Sequence, residues 1–213
     1  MSIPRKRTII CAHCGAEIDS WAWYNINLEK HPEAATKLRN GDYFKAFCRY
    51  CGKETIDPYT MICYDQRRGV FIEYWISKDS ARNFYFDELL LDGQRCCVVY
   101  SVEDLAEKVI ALQNGRDDRI VEMCKFWALI KYAKHLNTFE LKRLYYSIEN
   151  NKEKLIGIDI HGNKVISGFP FSVYQYFENT FHNALADETD NRHSYDTEWA
   201  DSFIRKHAGL LSS

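Results

Sequence analysis

Two short cysteine motifs constrain this chain more than any other feature. Cys11-Ala12-His13-Cys14-Gly15 and Cys48-Arg49-Tyr50-Cys51-Gly52 repeat one pattern, which extends through Glu17 and Glu54 as CxxCGxE. Two cysteines separated by two residues can aim both sulfurs at one ion across a tight bend. The glycine that follows supplies the backbone freedom such a bend needs. Two copies provide four thiolates, the full complement of a tetrahedral structural zinc site. The expectation is one structural zinc ion held by Cys11, Cys14, Cys48 and Cys51. Iron is the chemical competitor, because spacing specifies ligand geometry better than metal identity. A closed set of four thiolates leaves no position for substrate or water, so it supports folding rather than catalysis.

The remaining cysteines read differently. Cys63 and Cys124 sit in apolar patterns and are expected in the core. Cys96 and Cys97 are adjacent, so on a strand they face opposite ways and make an improbable joint ligand. His13 is expected to be a turn residue. Eight cysteines would ordinarily raise the question of disulfides. However, the residues before Cys11 include Arg5-Lys6-Arg7 and no apolar core of a secretory signal, and no apolar run is long enough to span a bilayer. A cytoplasmic chain with no membrane association is the expectation, and in that compartment paired CxxC motifs favour metal.

Length and patterning suggest how the motifs are framed. At 213 residues, 46% apolar and 27% charged, the chain has the make-up of one large or two small globular domains. A short strand is expected to run into the first motif and another over 21–28. A brief helix opens at His31-Pro32-Glu33 and stops before Gly41. The runs 59–64 and 69–76 form a hairpin across Asp65-Gln66-Arg67-Arg68, with further strands expected over 83–91 and 95–100. Ser101-Val102-Glu103-Asp104 is a capping box opening a helix to Leu112. A second helix starts at Asp117-Asp118 and runs to about residue 134. Beyond it come an expected helix over 138–150, a hairpin over 155–168, a helix over 171–185, an acidic loop and a last helix over 198–207. The fold class expected is α+β: a zinc-ribbon-like antiparallel β domain followed by helices (1–134), with a smaller α+β C-terminal extension (135–213) packed on it.

Several of these features together resemble the CpXC domain family, a bacterial and archaeal family named for paired Cys-Pro-X-Cys motifs. The resemblance rests on both motifs, the segment from His31-Pro32-Glu33 to Gly41, Pro58-Tyr59 to Tyr64-Asp65, and Asp104-Leu105-Ala106-Glu107-Lys108. It continues through Gly115-Arg116-Asp117-Asp118-Arg119 to Lys125 and covers about residues 8–130. Ala12 and Arg49 stand where the family usually has proline, and neither replacement removes a ligand. The resemblance implies a zinc-ribbon-like domain and no catalytic residues.

Function is less legible. No phosphate loop, dinucleotide fingerprint, HExxH or GxSxG motif occurs in the chain. Asp65 and the Asp117-Asp118 pair are the acids best suited to a metal-dependent nuclease or other hydrolase, yet turn and helix-capping roles explain them. His182, Asp187, Asp190, His193 and Asp196 form an irregularly spaced group in the tail. The leading expectation is a non-enzymatic interaction module that presents Trp21, Trp23, Tyr24 and Trp75 to a protein or small ligand. The alternative is a nucleic-acid-binding ribbon using Arg5, Lys6, Arg7, Arg49 and Lys53. Against it stands a net charge of -2, with none of the basic excess that phosphate binding favours.

Overall fold

A computed structural model describes residues 4–81, 93–133, 141–188 and 192–212. The chain divides into two compact units, Met1–Val109 and Ile110–Ser213. The expected strand over 83–91 lies outside the described residues.

The first unit opens with a two-stranded hairpin, β1 (Arg5–Ile10) and β2 (Glu17–Ala22), paired antiparallel from Arg5↔Ala22 to Ile10↔Glu17. The first cysteine motif is its turn. The expected single strand over 21–28 is in fact two, because the chain breaks at Trp23-Tyr24 before β3 (Asn25–Asn27). There the Trp23 N–H leaves the ladder and donates to the Tyr59 hydroxyl at 2.8 Å. A short helix, α1 (Ala34–Arg39), follows, and the chain turns at Gly41 with φ 71°. A second hairpin comes next, β4 (Lys45–Phe47) with β5 (Glu54–Ile56), and its turn is the second cysteine motif.

The larger sheet of this unit adds β6 (Met61–Asp65), β7 (Val70–Tyr74) and β8 (Arg95–Val99), in the order β8-β7-β6-β3. The β6–β7 hairpin is antiparallel, as its pattern predicts, whereas β3–β6 and β7–β8 are parallel. Parallel neighbours require a crossover. The β3–β6 crossover carries α1 and the β4–β5 hairpin, so the second cysteine motif rides on that connection. After β7 comes the short helix α2 (Lys78–Ala81). Every residue of β8 is buried, Cys96 and Cys97 included, as expected of a strand covered on both faces.

The capping box is present: the Ser101 hydroxyl accepts from the Asp104 N–H at 3.1 Å and opens α3 (Val102–Gln113). The division between the units falls within this helix. The second unit contains α4 (Asp118–Ala133), then β9 (Leu141–Glu149), β10 (Lys152–Asp159) and β11 (Lys164–Gly168) as an antiparallel sheet ordered β11-β10-β9. Helix α5 (Phe171–Ala186), the two-residue strand β12 (Arg192–His193) and α6 (Thr197–Lys206) follow, with a last 3-10 turn over Ala208–Ser212. Helix α4 packs on α5, α6 and β9. Here one expectation is corrected: from residue 141 the segment expected as a helix is strand β9. Its hairpin with β10 turns on Asn150 and Asn151, with φ 51° and 58°. Two successive residues at positive φ give a turn whose twist matches paired strands.

The fold is therefore α+β: antiparallel hairpins bearing four cysteines, then helices, then a smaller β/α extension. None of the described helices is long and apolar enough to cross a membrane.

Candidate metal centre

The two hairpins pack their inner faces together. Strand alternation turns Ile9, Ile18 and Ala46 inward, where they form a small core with Cys11 and Cys48, and Cys51 packs against it. The two turns are built alike. In the first, Cys11 N–H donates to the Ala16 carbonyl at 2.9 Å and Gly15 N–H to the Cys11 carbonyl at 2.9 Å. In the second, Cys48 N–H donates to Lys53 at 2.9 Å and Gly52 N–H to Cys48 at 2.8 Å. Gly15 and Gly52 take φ 72° and 71°, the left-handed region that residues with a Cβ resist.

This construction gathers four sulfurs. Cys11 Sγ lies 3.7 Å from Cys51 Sγ, and Cys14 Sγ lies 3.6 Å from Cys48 Sγ. All four lie within 4.8 Å of one another. These separations are far beyond the roughly 2.05 Å of a disulfide bond. They suit a different object: metal–sulfur bonds of about 2.3 Å in a regular tetrahedron set the sulfurs about 3.8 Å apart. The cluster is thus able to chelate one metal ion. Among the described residues no other group of three or more His, Cys, Asp or Glu side chains converges in this way.

The sulfurs are not equivalent. Cys11 and Cys48 are buried, Cys51 is half-buried and Cys14 is exposed. Cys11 Sγ accepts from the Thr55 hydroxyl at 3.4 Å and from the His13 backbone N–H at 3.4 Å. Donation from Thr55, and then from His13, holds this thiol at about 5, far below the ordinary 9.0. The Ala16 N–H acts to lower the Cys14 thiol, but desolvation and the sulfurs of Cys48, Cys11 and Cys51 outweigh it and push the thiol up to about 12. The Lys53 N–H likewise acts to lower the Cys51 thiol, and desolvation with the sulfurs of Cys48 and Cys11 raises it overall. Packed this closely, the thiols cannot all ionise unless a cation offsets the charge they would share. His13 does not join the sulfurs; its Nε2 bonds to the Glu54 carbonyl at 3.0 Å and links the two hairpins.

The aromatic residues singled out from the sequence have divergent placements. Trp21 is exposed on the outer face of β2 and Tyr24 is partly exposed against the Tyr59 ring. Trp23 is half-buried between His31 and Tyr43. Trp75 is not available to a partner: it is 8% exposed, and its indole N–H donates to Glu73 at 2.9 Å. The structure adds residues that the sequence reading passed over. Phe47 and Ile56 lie 64% and 65% exposed on the outer face of β4–β5, beside an equally exposed Tyr50 in the turn. Their alternation with buried Ala46 and Thr55 was the available signal.

The basic residues are largely engaged. Lys6 pairs with Asp19 at 2.8 Å, and Arg7 pairs with Asp57 while covering the Tyr59 ring. Arg49 lies over the Tyr50 ring at 5.0 Å and donates to its hydroxyl. Arg5 and Lys53 are exposed. The candidate acids have local roles. Asp65 accepts from the Arg68 N–H in the β6–β7 turn, and Asp117 pairs with Arg119 at 2.7 Å. Asp196 caps α6 by accepting from the Trp199 N–H. His182 and Asp187 are exposed, His193 lies tilted against the Tyr195 ring with centroids 5.6 Å apart, and Asp190 lies outside the described residues.

A search of the curated proteins and of the solved structures returned no match. A family model described as CpXC protein matches residues 9–125, more than half of the chain and both cysteine motifs. The chain belongs to the CpXC family.

Proposed function

We propose that this protein is a non-enzymatic, cytoplasmic interaction module, folded around one structural zinc ion and binding a protein or small ligand. The observation that carries the reading is the four-sulfur cluster clamped between two hairpins. Four cysteines already satisfy a tetrahedral ion, so zinc held there would have no position left for substrate. Its contribution would be to fix the hairpins, whose own apolar core is only a few side chains.

What the hairpins offer is their outer surface. Ile10 and Trp21 are 59% and 61% exposed on β1–β2, and Phe47, Tyr50 and Ile56 are exposed on the second hairpin. Large side chains left this open on a small rigid platform suit recognition of an apolar partner surface. The nucleic-acid reading is weaker, because ion pairs at Lys6 and Arg7 draw off the charge that phosphate binding would use. The hydrolase reading is weaker still, since Asp65, Asp117 and Asp196 serve turns, an ion pair and a cap.

Affinity capture with quantitative mass spectrometry tests the reading, comparing wild type with Phe47→Ser/Ile56→Ser. Partners lost by the double variant at unchanged zinc content would support it. Identical partner sets, or enrichment of nucleic acid alone, would overturn it.

A further inference from the structure

We infer that Thr55 is a positioning residue for the metal, its buried hydroxyl orienting and stabilising the Cys11 thiolate from the opposite hairpin. The inference rests on the four-thiolate reading and adds a residue that the motif spacing does not reveal.

Thr55 lies on β5, only 3% exposed, facing the small core that Ile9, Ile18 and Ala46 fill. Valine would occupy almost the same volume at such a site, so the hydroxyl calls for a reason. A buried hydroxyl is unfavourable unless its bonds are made, and both of those at Thr55 go to the first cysteine motif. Its oxygen accepts from the Ala12 N–H at 3.3 Å, across 43 residues of sequence. That bond directs the hydroxyl proton away from Ala12, and the proton donates to Cys11 Sγ at 3.4 Å. An acceptor sulfur is better the more negative it is, so the contact strengthens with the thiolate that a metal requires. The corresponding position of the first hairpin, four residues after its second cysteine, is Ile18. Side-chain hydroxyl support at this position therefore comes from the second half of the repeat alone, beside the backbone donation from His13.

Partners that orient metal ligands typically change affinity by about 10–100-fold when removed. The test is zinc affinity by chelator competition, together with the charge-transfer absorption of the cobalt-substituted protein, for wild type, Thr55→Val and Thr55→Ser. The expected result is a loss of about tenfold or more in Thr55→Val, a shifted cobalt–thiolate band, and recovery of both in Thr55→Ser. A role in packing alone would leave the band and the affinity of Thr55→Val as in wild type, and that outcome overturns the inference. Should the valine variant not fold, Thr55→Ala against Thr55→Ser reads the same contrast. A wild-type protein without a four-thiolate cobalt spectrum would sink the metal reading itself, a result distinct from an unaffected variant.

Discussion

Cys14 and Cys48 stand 34 residues apart in the chain, yet their sulfurs approach to 3.6 Å. Nothing local brings them together. The first belongs to the opening hairpin and the second to a hairpin carried on the β3–β6 crossover, so the cluster forms only once the sheet register is set.

Tyr59 is a joint between these parts. Its hydroxyl accepts from the Trp23 N–H at 2.8 Å and donates to the Tyr43 carbonyl at 2.9 Å. Tyr59→Phe removes both bonds while leaving the ring, and orphaned backbone groups of this kind destabilise by about 1–3 kcal/mol. Urea denaturation of the zinc-loaded protein should show a lower midpoint. An unchanged midpoint would mean that water replaces the hydroxyl at no cost.

Gly52 tests the geometry of the second turn. An added Cβ would meet nothing within 4 Å, so the burden of Gly52→Ala is conformational, set by a φ of 71°. Left-handed backbone disfavours residues with a Cβ by roughly 1–2 kcal/mol. Gly52→Ala should lower stability by that amount, and Gly52→Asn, which tolerates the region better, by less. Equal melting of alanine, asparagine and wild-type proteins would contradict the turn described.

Metal binding should release fewer protons than the ligand count suggests. Hydrogen bonds from Thr55 and then His13 hold the Cys11 thiol at about 5, so at neutral pH it is already ionised before metal arrives. The Cys14 and Cys51 thiols are raised and must give up protons to bind. Calorimetric titration of metal-free protein in buffers of different ionisation enthalpy should therefore yield about three protons or fewer per zinc at pH 7. Release of four would show that Cys11 is protonated in the metal-free state.

The turn between β9 and β10 makes a further distinction. With Asn150 and Asn151 both at positive φ, Asn151→Gly should be neutral or slightly stabilising. Asn151→Val should destabilise by roughly 1–2 kcal/mol, because a branched side chain resists that backbone. If the two substitutions were equivalent in thermal melts, the hairpin would be wrong.

That turn also shows where the sequence is hard to read. Leu141, Leu144, Tyr145 and Ile148 recur at helical spacing, yet the segment pairs with β10 as a strand. The competing signal was the Asn-Asn pair itself, and it lies at the end of the segment rather than within it. The β6–β7 hairpin and the capped helix α3 were legible because turn or cap chemistry agreed with the apolar pattern around them. The convergence of Cys11, Cys14, Cys48 and Cys51 into one cluster able to chelate an ion was legible from spacing alone. Thr55 was not, since its role depends on a partner 44 residues away. The burial of Trp75 was likewise hidden, because an aromatic just past a strand end reads the same whether it faces solvent or a buried glutamate. Parallel pairing of β3 with β6 has no local signature either, as it is decided by what the crossover can span.

One structural zinc ion is the proposed occupant of the four-cysteine cluster. Elemental analysis of protein purified without added metal, wild type beside Cys48→Ser, with circular dichroism on both, is the decisive measurement. One zinc per chain in wild type, lost in the variant together with native structure, is the result predicted. Wild type without zinc, or a folded Cys48→Ser protein that keeps its zinc at full occupancy, would contradict it.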